Sequence, residues 1–129
     1  MSETEAVQAW KQSAQENLDF SIELIQPRKY HHSLFFLHLA IEKIIKAYHQ
    51  FNRHEPAPFV HNLTKLAEAS GISLSEIDQN NLKEISSFNV SARYDIFKLN
   101  LYKKATPQYA AKWQKIGQEF YQRVSSLLP

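Results

Sequence analysis

The chain has no cysteine and only two glycines in its 129 residues. Without thiols there is no disulfide framework, no thiolate zinc site, no iron–sulfur cluster and no cysteine nucleophile. Phosphate-cradling loops and dinucleotide fingerprints need several glycines, whose backbones adopt conformations closed to other residues. Gly71 and Gly117 stand far apart in the chain, so neither motif can be assembled. Valine occurs four times and threonine three times, against an abundance of Leu, Ile, Ala, Lys, Gln and Glu. That balance favours helices over sheets. Long hydrophobic runs are also missing. The apolar stretch in residues 34–40 is interrupted by His38 and followed by Glu42 and Lys43, well short of the roughly 20 residues a membrane span requires. The opening segment Met1-Ser2-Glu3-Thr4-Glu5 is acidic and has neither the basic nor the apolar region of a signal peptide. These absences lead to the expectation of a single cytoplasmic domain with no membrane contact.

What is present is helical periodicity. Val7, Trp10, Ala14, Leu18, Ile22 and Ile25 recur every three or four residues, which predicts a helix over about 4–26, with Thr4 as N-cap and Pro27 as terminator. Residues 30–51 carry apolar side chains on more than one face, the pattern of a helix at the centre of a bundle. The prolines at 56 and 58 mark a loop. A short helix follows over about 62–70, closed by Gly71 as the left-handed C-terminal residue. Ser75 with Asp78 resembles a capping box, and Leu82, Ile85, Asn89, Ala92, Ile96 and Leu99 continue one seam from there, so a single fourth helix is expected. Thr106-Pro107 opens a last helix whose stripe is Tyr109, Trp113, Ile116, Phe120, Val124 and Leu127. The predicted fold class is all-α: an antiparallel up-and-down bundle of four long helices plus one short one, spanning residues 1–129 as one domain.

Charge is unevenly spread. Residues 1–92 hold 8 Lys plus Arg against 11 Asp plus Glu, whereas residues 93–129 hold 7 against 2. Lys98, Lys103, Lys104, Lys112 and Lys115, interleaved with Tyr102 and Tyr109, fall near the junction of the last two helices. Basic side chains mixed with rings suit phosphate backbones and stacked bases, though a solvated helical face gives the same pattern. Six histidines raise the question of a metal. His31 and His32, being adjacent, point about 100° apart on a helix and cannot chelate together. His38 with Glu42 is only half a site, and no HExxH motif exists. No metal and no cofactor is therefore expected. Glu42, Lys43 and Lys46 are charged positions on an otherwise apolar helix, where burial without partners would cost several kcal/mol, so they are expected to line a groove or an interface.

The segment His32-Ser33-Leu34-Phe35-Phe36-Leu37-His38-Leu39-Ala40-Ile41-Glu42-Lys43-Ile44-Ile45-Lys46-Ala47 resembles the "AxEKxxKA" second-helix signature of HEPN domains, the higher-eukaryote and prokaryote nucleotide-binding family. In order along the chain, Pro56, Pro58, His61, Leu63 and Leu66 are similar to that family's "P…HxLxxL" segment. Phe88-Asn89-Val90-Ser91-Ala92-Arg93-Tyr94 is similar to its "ARYP" segment, with Asp95 in place of the proline. The resemblance implies an all-α bundle, commonly a homodimer. It also implies an association with a small nucleotidyltransferase in a two-component, frequently toxin–antitoxin, system. Some branches of the family are metal-independent ribonucleases that use an Arg followed after four to six residues by a His. No arginine in this chain has a histidine at that spacing, so the resemblance implies binding here rather than catalysis.

The resulting expectation is a non-catalytic domain that binds a nucleotide or RNA phosphate, or serves a nucleotidyltransferase as its partner. Arg93 would grip phosphate, Lys43 and Lys46 would supply positive field, Tyr94 would stack or hydrogen-bond and His61 would close the site, supported by Glu42 and by Asn89 one turn before Arg93. Two alternatives are a weak endoribonuclease built from Arg93 with His61 or His38, and an interaction module in which Glu42, Lys43, Lys46 and Arg93 form a polar network that sets register or dimer pairing.

Overall fold

A computed structural model describes residues 1–60, 62–89 and 95–129, with the side chains of 95–97 outside the description. Among the described residues there are six helices: α1 (Glu3–Glu23), α2 (Tyr30–Arg53), α3 (Leu63–Ser70), α4 (Glu76–Ser86), α5 (Asp95–Lys104) and α6 (Pro107–Ser125). Their ends follow local chemistry. A capping box of Ser2 with Glu5 starts α1, two residues earlier than the Thr4 cap expected, and the helix closes at Glu23 in a turn whose Arg28 has a positive φ of 58°. Asn62 caps α3, Ser75 with Asp78 caps α4, and Thr106 caps α6 with Pro107 in its first turn. Gly71 ends α3 in the left-handed region, as its position predicted.

The expected count of four long helices and one short helix needs correction. The predicted fourth helix stops at Ser86, and α5 is a separate element. Its seam repeats correctly through Leu82 and Ile85, but the chain then reaches Ser86, Ser87 and Phe88. Ser87 Oγ donates to the Glu84 carbonyl, and Ser86 Oγ accepts from the backbone N–H of Leu63. Serine side chains that capture backbone groups offer the chain an alternative to the helical ladder, and here they accompany its end.

Four of the helices keep the up-and-down order. Glu3 meets His54 and Ser21 meets Ser33, so α1 and α2 are antiparallel. Gln15 meets Tyr121 and Ser21 meets Gln114, which makes α6 antiparallel to α1. Asp78 meets Arg123 and Glu84 meets Tyr109, which sets α4 antiparallel to α6. Helix α2 packs against every other helix. Its Leu34, Leu37, Ala40, Ile41, Ile44, Ile45 and Ala47 are fully buried, as the apolar character of several faces predicted. Helices α2 and α6 meet closely at Gly117, where a Cβ would stand 2.6 Å from Leu37 Cδ2.

One side of α1 departs from the predicted stripe. Val7, Ala14 and Leu18 are buried, but the line continues through Ser21, while Ile22 is 40% exposed. Ser21 is buried because it belongs to a polar cluster: Gln114 Nε2 donates to both Ser21 Oγ and Ser33 Oγ at 2.8 Å, Ser33 Oγ donates to the Ser21 carbonyl at 2.7 Å, and Gln118 Nε2 donates to Gln114 Oε1 at 2.9 Å. Three helices are pinned at one level by these bonds. None of the three residues is apolar, so a hydrophobic pattern gave no sign of them; the available signal was the line Ala110, Gln114, Gly117, Tyr121 at helical spacing.

Candidate functional site

Glu42, Lys43 and Lys46 lie together on α2, facing α1. Lys43 Nζ donates to Ser13 Oγ at 2.8 Å, Lys46 Nζ is 3.5 Å from Glu42 Oε2, and the same ammonium lies 5.2 Å from the centre of the Trp10 ring. These charges therefore satisfy one another and the α1 side chains beside them. A partly covered cation over an aromatic face gains about 0.5–1 kcal/mol or more, and its aliphatic stem covers apolar surface.

Asn89 belongs to another part of the bundle. Its neighbour Phe88 is fully buried and packs edge-to-face on Tyr109 and Trp113, at 6.0 and 6.2 Å between ring centres. Trp113 adjoins Gln114, which bonds Ser33 near the start of α2. Lys43 is ten residues further along that helix, about 15 Å at 1.5 Å per residue. The structure thus groups Glu42, Lys43 and Lys46 and sets Asn89 at a different level. His61, Arg93 and Tyr94 lie outside the described residues.

His38 is fully buried inside the core, where no solvent-borne substrate reaches it. His31 sits in the first turn of α2, its ring 4.0 Å from that of His32 and 5.0 Å from Tyr102 of α5. Burial first, then the charges of His32 and Lys29, push His31 below the usual histidine value. Among the described residues no three His, Asp or Glu side chains are grouped as a metal ion would need, and no helix is long and apolar enough to cross a membrane.

The strongest concentration of like charge is on α5 and the first half of α6. From Lys98 to Gln118 the sequence holds five lysines and no acidic residue. Lys98, Lys103, Lys104, Lys112 and Lys115 are all exposed, as is Tyr102 at 62%. Among the described residues, one carboxylate from another helix pairs with this strip. Glu84, in the last turn of α4, accepts from the Tyr109 hydroxyl and lies 2.6 Å from Lys104 Nζ. Burial alone would raise the Glu84 carboxyl, but hydrogen bonds from Lys104 and Tyr109, with the charges of Lys104 and Lys112, hold it below the usual carboxylate range. Tyr109 is shifted the other way: burial and the adjoining carboxylate keep its phenol protonated far above the ordinary tyrosine value. The rings of Tyr109 and Trp113 lie under the ammonium groups of Lys104 and Lys112, at 5.5 and 5.4 Å. The lysines named from sequence near the helix junction are all exposed, and Lys104 and Lys112 both act on Glu84. What the sequence did not disclose is the acidic side chain that α4 places among them.

Comparison with known proteins agrees with the helical architecture. No curated protein and no solved structure matches the chain. The family model for the HEPN domain matches residues 7–127, nearly its whole length. The chain belongs to the HEPN domain family.

Proposed function

We propose that this HEPN domain is a non-catalytic binder of nucleotide or RNA phosphates, and that the face formed by α5 and the start of α6 carries the binding. The observation behind this reading is the run from Lys98 to Gln118, whose five lysines are exposed and with which, among the described residues, one carboxylate from another helix pairs. Lysines on a strip attract phosphodiesters largely without regard to sequence, and exposed rings such as Tyr102 add stacking. Arg93 and Tyr94 stand immediately before α5 in the chain and are proposed as further phosphate and base contacts, with Asn89 supporting them and His61 closing the site. Lys43 and Lys46 contribute long-range field rather than direct contact, because Ser13, Glu42 and Trp10 already engage them. The nucleotide or RNA is either the ligand itself or reaches the domain through a small nucleotidyltransferase with which it forms a two-component, toxin–antitoxin-like pair. The domain acts as a homodimer in the cytoplasm.

The test is titration of a short single-stranded RNA at several salt concentrations. Engagement of three or four phosphates gives a slope of log K against log salt of about −2 to −3, at roughly −0.7 per phosphate. Replacing Lys112 and Lys115 by Gln is expected to reduce that slope by about 1.4 by the same relation. RNA that fails to bind, or a slope unchanged in the double variant, removes this reading.

A second reading has its own observation. Glu42, Lys43 and Lys46 tie α2 to α1, which fits the interaction module better than a ligand pocket at those residues. In that case Lys43→Ala and Lys46→Ala lower stability and leave RNA affinity unchanged.

A further inference from the structure

Glu84 occupies an unusual place. It is the C-terminal acid of α4, yet its carboxylate is inserted among cationic and hydroxyl groups supplied by two other helices: Lys104 Nζ from α5, and Tyr109 Oη with the nearby Lys112 from α6. Both described bonds converge on one oxygen, Oε2. An ammonium and a phenol O–H directed at a single anionic oxygen, with a second ammonium contributing field, form a donor set that suits a phosphate oxygen as well as a carboxylate. The Tyr109 phenol stays protonated throughout the neutral range, so it can act only as a donor toward an anion there. The side chains of Glu84 and Lys104 are 28% and 45% exposed, so the place is open to solvent from one side.

We propose that the Glu84 carboxylate fills, from within the chain, a binding site for a phosphate group built from Lys104, Tyr109 and Lys112, so that an incoming phosphate competes with Glu84 for these donors. This refines the proposed phosphate-binding function by naming the position at which a phosphate seats and the group it must displace. The exchange is one anion for another on the same donors, and the displaced carboxylate is rehydrated at the edge of α4. Glu84 thereby lowers affinity for isolated phosphates and leaves the remaining lysines of the strip to attract longer polyanions. Withdrawal of Glu84 also frees Lys104, the link between α5 and α4, so occupation of the site alters how the end of α5 is held.

The experiment is calorimetric titration of the full chain with inorganic phosphate and, separately, with the dinucleoside monophosphate UpA, at matched ionic strength. Glu84→Gln keeps the shape and an acceptor for the Tyr109 hydroxyl but gives up the charge, and it is expected to bind phosphate at least tenfold more tightly than the wild type. Adding Lys104→Gln to that variant is expected to abolish the gain. A gain with phosphate alone identifies a phosphate monoester as the fitting ligand; a gain with both identifies a site that also accepts a phosphodiester. Should Glu84→Gln fail to fold by circular dichroism, Glu84→Asp, which withdraws the carboxylate by one methylene, is expected to give a smaller gain of the same sign. Folded Glu84→Gln with no increase in affinity overturns the proposal, as does Glu84→Asp with none where Glu84→Gln does not fold. Because small phosphates probe the Glu84 position and the RNA salt slope probes the whole strip, either result can fail while the other holds.

Discussion

The contact between Gly117 and Leu37 makes a prediction whose sign reverses with background. A methyl group added at Gly117 would stand 2.6 Å from Leu37 Cδ2, 2.9 Å from Cδ1 and 3.0 Å from Cγ. The branching carbon of a fully buried side chain is involved as well as its tips, so rotation about the Cβ–Cγ bond alone does not relieve the overlap. Overpacking of this kind costs about 1–3 kcal/mol. Alanine in a helix interior recovers about 1 kcal/mol relative to glycine, so Gly117→Ala is expected to destabilise by up to about 2 kcal/mol. Leu37→Ala, which opens a cavity in the core, costs about 2–5 kcal/mol. With Leu37 already shortened the three atoms nearest the new methyl are gone. It then fills part of the cavity and keeps its propensity gain, so Gly117→Ala is expected to stabilise the Leu37→Ala protein by up to about 1 kcal/mol. The coupling between the two positions is therefore about 1–3 kcal/mol, outside the few tenths expected of independent sites. Urea unfolding of the four proteins followed by far-UV circular dichroism measures it. If Gly117→Ala has the same effect in both backgrounds to within about 0.5 kcal/mol, α6 does not approach α2 through that glycine.

Other expectations follow from the polar groups. Gln114→Leu removes both donors from the Ser21 and Ser33 hydroxyls in a buried setting, and should lower stability by about 1–3 kcal/mol in the same urea assay. Asp78 accepts from Ser75 and from both terminal nitrogens of Arg123, which more than offsets the upward push of burial and holds its carboxyl below the usual value. A depressed carboxyl stabilises the fold above its unfolded value near 3.8 and loses that contribution as pH falls through the lower folded value. Asp78→Asn should accordingly be less stable than the wild type at neutral pH and approach it in acid, as read from thermal midpoints across pH. The Tyr121 phenol is pushed up to about 12 by burial and then by Asp19; tyrosinate absorbance gained between about pH 9 and pH 11 should thus be undiminished in Tyr121→Phe, as long as circular dichroism shows the native fold.

Much of this architecture can be read along the chain, and the exceptions share a physical cause. Periodicity reports which face of a segment is buried, and so α2, α3 and α6 emerge from sequence with nearly their observed limits. It does not report continuity. Leu82 and Ile85 followed by Asn89 and Ala92 keep helical spacing in the sequence across the serines that accompany the end of α4, because spacing records residue type and not whether the backbone ladder is unbroken. Likewise Ile22 fits an apolar stripe but gives way to Ser21, whose partner Gln114 lies 93 residues away and is invisible to any local pattern. For the site, charged residues on an apolar helix stand out in the sequence. Their explanation turned out to be Ser13 and Trp10 on α1, since a side chain's partners are chosen by helix packing and not by spacing along its own helix. The lysine-rich strip was legible because its charge comes from one continuous stretch, whereas Glu84 among those lysines was not, because it arrives from a different helix.

The cluster that pins α1, α2 and α6 also bears on the order of assembly. Helices α1 and α2 are neighbours in the chain and can close on one another as soon as both exist, but the hydroxyls of Ser21 and Ser33 then await an amide that only the last helix brings. If the chain assembles in sequence order, docking of α6 completes this lock last. Loss of Gln114 should therefore hasten unfolding while barely slowing folding, the kinetic signature of a contact made after the transition state.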